Sequence, residues 1–441
     1  MNRIVLRGNH QVTDIRISRA IRAIGMVYRA IAAFVLFAVP LAAAAQDVEQ
    51  RARDIVEVMQ GEAIYTDVFD EAFTSHVSEE QFSAIFDPVE GQYGPLVGLE
   101  SVEPTSPTAA NIAIRFERGI ASGVFNLAGE PPYRVAGFLV NNVGPADDST
   151  ENLLADIQAL PGEKFILIAP LDGGEPLLSY NADRHLGIGS AFKLYVLSTV
   201  AQEVAAGERR WSDVVPLDTS NPSGTSSAWP QGAPVTLHTL ATQMISVSDN
   251  NATDNLLSIV GRSAMEAEVA ASGHSDPALL VPFMSTREMF ALKLGGDLEA
   301  YRAADAVGRL ATLEATADSK IDMFEFMTAF TGAPIAIDIE WLVSGEDMAN
   351  LMRRIRELDD PTARKIMAVN TAVADNLSGD WQYIGFKGGS EPGVLNLSWL
   401  LQDHAGEWRA VTLSWNNSDA AVDHEAFRAL AMRAIALARP K

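Results

Sequence analysis

Gly187-Ile188-Gly189-Ser190-Ala191-Phe192-Lys193 opens an apolar run with helical spacing that extends to residue 206. A serine at the opening of a helix has its hydroxyl near unpaired backbone N–H groups, which favour developing negative charge. Lys193, three residues on, shares that face; an amine whose pKa is depressed by burial or by another cation can take the hydroxyl proton. A serine and a lysine at this spacing arise about once by chance in a chain of this length, so the surroundings must supply the weight. Upstream, apolar runs at 164–169 and 177–179 flank Asp172-Gly173-Gly174-Glu175, a hairpin signal. Downstream, 237–247 and 252–260 read as amphipathic helices, and Ser285-Thr286-Arg287-Glu288 has the spacing of a capping box. Strand patterns return at 383–387, 394–402 and 408–415, followed by an Ala-rich helix over 420–438. Strands at both ends with helices between them predict an α/β (α+β) domain whose antiparallel sheet is completed by the C-terminus and carries a helical body.

Two further patterns follow Ser190 in order. Ser248-Asp249-Asn250 lies between two predicted helices; Ser248 can relay a proton towards a leaving nitrogen, and the Asn250 amide can hold both a substrate carbonyl and Lys193. Lys387-Gly388-Gly389-Ser390 ends a strand. There the glycines permit close backbone approach, Lys387 supplies a cation, and the N–H of Ser390 can join that of Ser190 as an oxyanion hole.

Together these patterns resemble the motifs of the penicillin-recognising serine enzymes, the class A β-lactamases and penicillin-binding proteins. The flanks Asn181-Ala182-Asp183-Arg184 and Met244-Ile245-Ser246-Val247 are similar as well, and the likeness covers about residues 155–440. The resemblance implies a β-lactamase/transpeptidase-like fold. It also implies Ser190 as acylated nucleophile, Lys193 as its base or proton shuttle, Ser248 and Asn250 as relay and orienting amide, and Lys387 as anchor for a substrate carboxylate. Two departures stand out. Gly388 replaces the hydroxyl residue expected after the lysine, and no Glu-x-x-Leu-Asn segment supplies a deacylating glutamate. Glu288 lies in the right region, but its spacing from Ser285 already assigns it to a helix cap. The stretch 272–347 is longer than the family pattern.

The first 45 residues carry six arginines against one acid, Asp14, and end in an apolar run closed by Ala43-Ala44-Ala45. This is the outline of an export signal cleaved after Ala45, predicting a periplasmic or secreted protein with no membrane span after cleavage. With −24 on the whole chain and +5 on this segment, the remainder carries −29. Nucleic acid and anionic membranes are poor partners for such a field. The chain has no cysteine, which excludes disulfides, thiolate metal sites and a Cys nucleophile. His185, His238 and His274 have no metal-ligand spacing and read as surface or satisfied core residues, so neither a metal nor an organic cofactor is expected. Trp229 reads equally as a cleft border or a hydrophobic plug.

Residues 46–143 carry helical patterns at 48–60 and 78–86, then strand patterns at 96–102, 111–116, 121–127 and 133–140. A smaller α+β domain is predicted there. Its order is similar to the NTF2-like steroid isomerases, an arrangement that also resembles the β-lactamase-like protein of clavulanic acid biosynthesis. Residues 144–152 read as a linker and 153–441 as the serine hydrolase domain. The expected activity is acyl transfer to Ser190 from a small β-lactam or peptidoglycan-derived substrate, by a monomer. Cephalosporin-type esterase, D-Ala-D-Ala peptidase and a binding protein without turnover stay open.

Overall fold

The structure, a computed structural model, describes residues 48–221, 224–316, 331–373 and 375–440. The predicted export segment and its cleavage position lie outside these residues. Tertiary contacts divide the chain into two units, Met1–Ala146 and Asp147–Lys441.

In the first unit a helix over 48–59 is followed by short helices, among them Glu79–Ala84, whose Ser78–Gln81 capping box is present as the sequence predicts. Strands β1 (Leu96–Ser106), β2 (Ala109–Phe116), β3 (Gly119–Leu127) and β4 (Val135–Pro145) then form an antiparallel sheet in sequence order. Burial alternates along β2, so Ile112, Ile114 and Phe116 face an aromatic interior that includes Tyr65, Phe69 and Phe82. The strand β4 runs past the predicted end at residue 140. As an edge strand it needs only the ladder to β3, so its polar end at Asn141–Pro145 shows no apolar alternation. The expected linker is correspondingly short. A helix, Thr150–Ala159, begins at once, capped by the Ser149 hydroxyl accepting from the Asn152 N–H at 3.2 Å.

The second unit contains β5 (Glu163–Pro170), β6 (Leu178–Tyr180), β7 (Leu186–Gly187), β8 (Val214–Pro216), β9 (Pro234–Thr236), β10 (Leu342–Val343), β11 (Trp381–Glu391), β12 (Val394–Asp403) and β13 (Trp408–Asn416). Its main sheet has the antiparallel order β11-β12-β13-β5-β6, so the C-terminal strands do complete the sheet begun by the hairpin. The pleat separates two cores. Ile166, Ile168, Val411 and Leu413 face the helices Thr150–Ala159 and His424–Leu437, whereas Leu167, Leu400 and Ala410 face the helical body. At the centre of that body the helix Lys193–Ala205 is buried on nearly every side, the expected state of a helix apolar all round. Among the described residues no helix is long and apolar enough to cross a membrane.

Candidate active site

Ser190 stands in a 3₁₀ turn, Gly189–Phe192, ahead of the helix Lys193–Ala205. The turn is fixed from both sides. Before it, Gly187 exchanges two hydrogen bonds with the Asn416 side chain, at 2.8 and 2.9 Å. After it, Phe192 stacks on Trp341 with ring centroids 3.6 Å apart. Strand β11 passes so close that a Cβ on Gly189 would lie 2.8 Å from the Ser390 nitrogen. Gly389 is tighter still: a Cβ there would overlap the Ile188 carbonyl oxygen and the Ser190 nitrogen and lie 2.5 Å from the Ala191 nitrogen. Both glycines are therefore required by backbone approach. The sequence places this glycine pair at the end of a strand, where it permits close backbone approach. Regular pairing continues through Gly388↔Leu397 and Gly389↔Asn396 to Glu391, because the lack of side chains serves the contact with the Ser190 turn, leaving the ladder intact.

Lys193, Lys387, Ser248 and Asn250 converge. Lys193 Nζ donates to the Ser248 carbonyl at 2.7 Å and Asn250 Oδ1 at 2.6 Å, with Ser248 Oγ at 3.2 Å. Lys387 Nζ reaches the same Ser248 Oγ at 3.0 Å and the Gly388 carbonyl at 2.6 Å. A single hydroxyl thus bridges two buried amines. Burial, and then the nearby Lys387, hold the Lys193 amine well below the ordinary lysine range, with Asp254 and Asp249 opposing. Burial alone brings Lys387 down to about 7. Ser248 and Asn250 thus hold the Lys193 amine at the start of the helix that follows the Ser190 turn.

Ser248 sits at φ +59°, a left-handed conformation uncommon for a side-chain-bearing residue. The adjacent Asp249 holds it there. Its carboxylate caps the helix Asn250–Val260 through the Ala252 N–H and accepts from Thr225 Oγ1, Ser226 N and Ser226 Oγ, all at 2.7–2.8 Å. Burial alone would raise that carboxyl; the hydrogen bonds outweigh it and bring it below the usual range. Asp249 therefore positions its two neighbours.

Ser190, Asn250 and Ser390 line one cavity of about 380 Å³, whose wall also includes Trp341, Glu340 and Glu391. Gly388 lies nearby, and a Cβ there would meet the Phe386 ring at 2.9 Å, so an apolar edge occupies the place where the family resemblance puts a hydroxyl. Glu288 forms the predicted capping box with Ser285 and pairs with Arg262 at 2.6 Å. Sequence reading passed over Lys293, Glu340 and Glu391. The last follows Ser390 directly, a signal available from position alone; the other two come from the long stretch 272–347, where spacing carries no register to the serine.

The histidines pack differently from a dispersed surface set. His185 and His274 stack at 5.3 Å, and with Asp347 their ligand atoms lie within 4.8 Å of one another. His274 is nevertheless a satisfied core residue: its Nδ1 accepts from the Asp276 N–H at 3.1 Å, leaving Nε2–H to face the Leu342 carbonyl at 3.1 Å. A metal-ligating imidazole normally donates through its other nitrogen. Here that nitrogen is an acceptor, so the arrangement is structural. His238 packs edge-on to Trp211, and Trp229 packs against the helical core in the manner of a plug.

Among solved structures the chain is similar to a β-lactamase from Chitinophaga pinensis DSM 2588, at 16% identity over 66% of this chain and 98% of that one, with a TM-score of 0.46. One from Sphaerobacter thermophilus DSM 20745 is similar at 20% identity, with the same coverage and score. PBP-A is similar at 14% identity over 64% of this chain and 93% of that one, with a TM-score of 0.43. No curated protein matches. The family model described as the Beta-lactamase enzyme family matches residues 148–369, half of the chain, a span that contains Ser190, Lys193, Ser248 and Asn250 and ends before Lys387. On that match the chain belongs to the beta-lactamase enzyme family.

Proposed function

We propose that this protein hydrolyses a β-lactam amide through an acyl-enzyme on Ser190. One observation carries the reading: two buried lysines share the Ser248 hydroxyl beside a cavity lined by Ser190. In the proposed reaction a neutral Lys193 amine takes the Ser190 proton as Oγ bonds to the lactam carbonyl carbon. The N–H groups of Ser190 and Ser390 receive the oxyanion. The lactam C–N bond then breaks, and Ser248 passes a proton from the lysine pair to the departing nitrogen. Intact-mass analysis after mixing with benzylpenicillin tests this. A transient adduct on Ser190 is expected; absence of any adduct or turnover overturns the reading.

Lys387 supplies the carboxylate anchor in this scheme, which leads to a pH dependence. Its proton is lost as pH rises through about 7, so kcat/KM for a carboxylate-bearing substrate is expected to fall about tenfold per pH unit above that point. The methyl ester of the same compound, which needs no cation, should lack this particular fall. Parallel pH profiles for acid and ester would contradict the assignment.

A second reading, a β-lactam or peptidoglycan-fragment acceptor without turnover, is favoured by Gly388 and by the engagement of Glu288 in its cap. A permanent adduct in the same mass experiment would select it. We further propose that the front unit is an NTF2-like binding or packing module and that the protein acts outside the cytoplasm. The expected helices-then-strands order supports the first and the Arg-rich leader the second.

A further inference from the structure

A buried ionic group on the cavity wall has no part in the acylation scheme. Lys293 Nζ lies 2.6 Å from Glu391 Oε1 and 3.4 Å from Glu340 Oε1, and the three side chains are between 0% and 6% exposed. One cation therefore faces two carboxyls. Glu340 has a further donor in the Trp341 N–H at 3.3 Å; Glu391 Oε2 is buried with no N–H or hydroxyl donor among the described residues, and the Glu391 carboxyl is in hydrogen-bond contact with that of Glu340. Two buried carboxyls in contact do not both ionise readily, so the pair holds a proton at neutral pH. Its location is informative: Glu391 follows Ser390, whose nitrogen lies against Gly189, and both glutamates line the cavity that contains Ser190.

We propose that Glu391, paired with Glu340, is the proton acceptor that frees the acyl group from Ser190. The inference rests on the acyl-enzyme reading above. A water oxygen bonds to the acyl carbonyl carbon while one water proton passes to the ionised carboxylate of Glu391. That proton moves on to the neutral Lys193 amine, and collapse of the tetrahedral intermediate breaks the bond between the acyl carbon and Ser190 Oγ, which takes the proton from Lys193 as it leaves. Lys193 ends neutral and Glu391 ionised, as each began, so water and ester become acid and hydroxyl with no net proton change. This base stands on the strand beside the nucleophile, and its place explains how hydrolysis proceeds with Glu288 committed to a helix cap.

The surroundings set its working range. Burial first, and then the charge of Glu340, push Glu391 up to about 8, while Lys293 pulls it down. His424 lines the same cavity, and the charge of Asp338, which pairs with Arg302, also acts on Lys293. A base works when ionised, so release of the acyl group should quicken as pH rises through that value.

The test uses the mature chain, with benzylpenicillin adducts followed by intact mass and a chromogenic cephalosporin followed in single turnover, over about pH 6 to about pH 10. Glu391→Gln keeps an oxygen for Lys293. It should acylate within about threefold of wild type but release the acyl group about 10²-fold more slowly or worse, with the pH dependence flattened. Glu340→Gln removes the neighbouring charge and should move the release profile of an otherwise intact enzyme about one pH unit lower. A Glu391→Gln protein that sheds its adduct at the wild-type rate overturns the proposal. If that variant does not fold, an unmoved profile in Glu340→Gln does so instead. Wild-type protein that takes no adduct and turns nothing over would remove the acyl-enzyme reading itself, an outcome distinct from either.

Discussion

Ser190→Ala is expected to lower β-lactam hydrolysis by about 10³-fold or more and to abolish the benzylpenicillin mass adduct. The loss is large because the attacking oxygen itself is removed. The nearby Ser248 hydroxyl is bound to two lysines. Thermal stability should change little, since the turn is held by the Phe192–Trp341 stack and the Gly187–Asn416 bonds, none of which uses the Ser190 side chain. Steady-state rates, intact mass and a melting curve on one preparation check all three parts. Retention of hydrolysis with an unaltered adduct would move the nucleophile elsewhere.

Gly389→Ala is expected to damage fold and activity together. The added methyl would have to enter space held by the Ile188 carbonyl and by the nitrogens of Ser190 and Ala191. These are backbone atoms with no rotamer to give way. Strand and turn must separate, at a cost of about 1–3 kcal/mol or more. Separation also pulls the Ser190 and Ser390 N–H groups apart, and loss of an oxyanion-hole donor typically costs about 10²–10³ in kcat. A lowered melting temperature together with slower acylation would bear this out. A variant with wild-type acylation would show that the close approach is unnecessary to the chemistry. Gly388 offers a useful contrast, because the nearest obstacle to a side chain there is the end of the Phe386 ring, which can turn aside.

The helical and strand periods name the main-sheet strands and the helices Lys193–Ala205, Leu237–Ser246, Asn250–Val260 and His424–Leu437, since each buries one face against a continuous core and so repeats its apolar residues at a fixed interval; the helices Thr150–Ala159, Arg262–Ala271, Ala306–Thr316 and Gly345–Arg356 went unread. Boundaries suffered where burial did not dictate the residue. The polar end of β4 is held by backbone ladder bonds alone, and the glycine run of β11 continues its strand because Val394–Leu397 pairs with it. The long insertion gave up its capping box, which is a local signal, but hid Lys293 and Glu340.

Read alone, the chain determined the order of the chemical groups: a serine and lysine one turn apart, a Ser-Asp-Asn junction, and a lysine before two glycines. Short-range rules of helix and turn suffice for that. Folding decided which groups meet. The Ser248 hydroxyl stands between amines 55 and 139 residues away, and Lys293 pairs with a glutamate 98 residues on. Such pairings follow from how the sheet and helical body close on one another, and burial on closure is what changes the proton affinities of these amines and carboxyls.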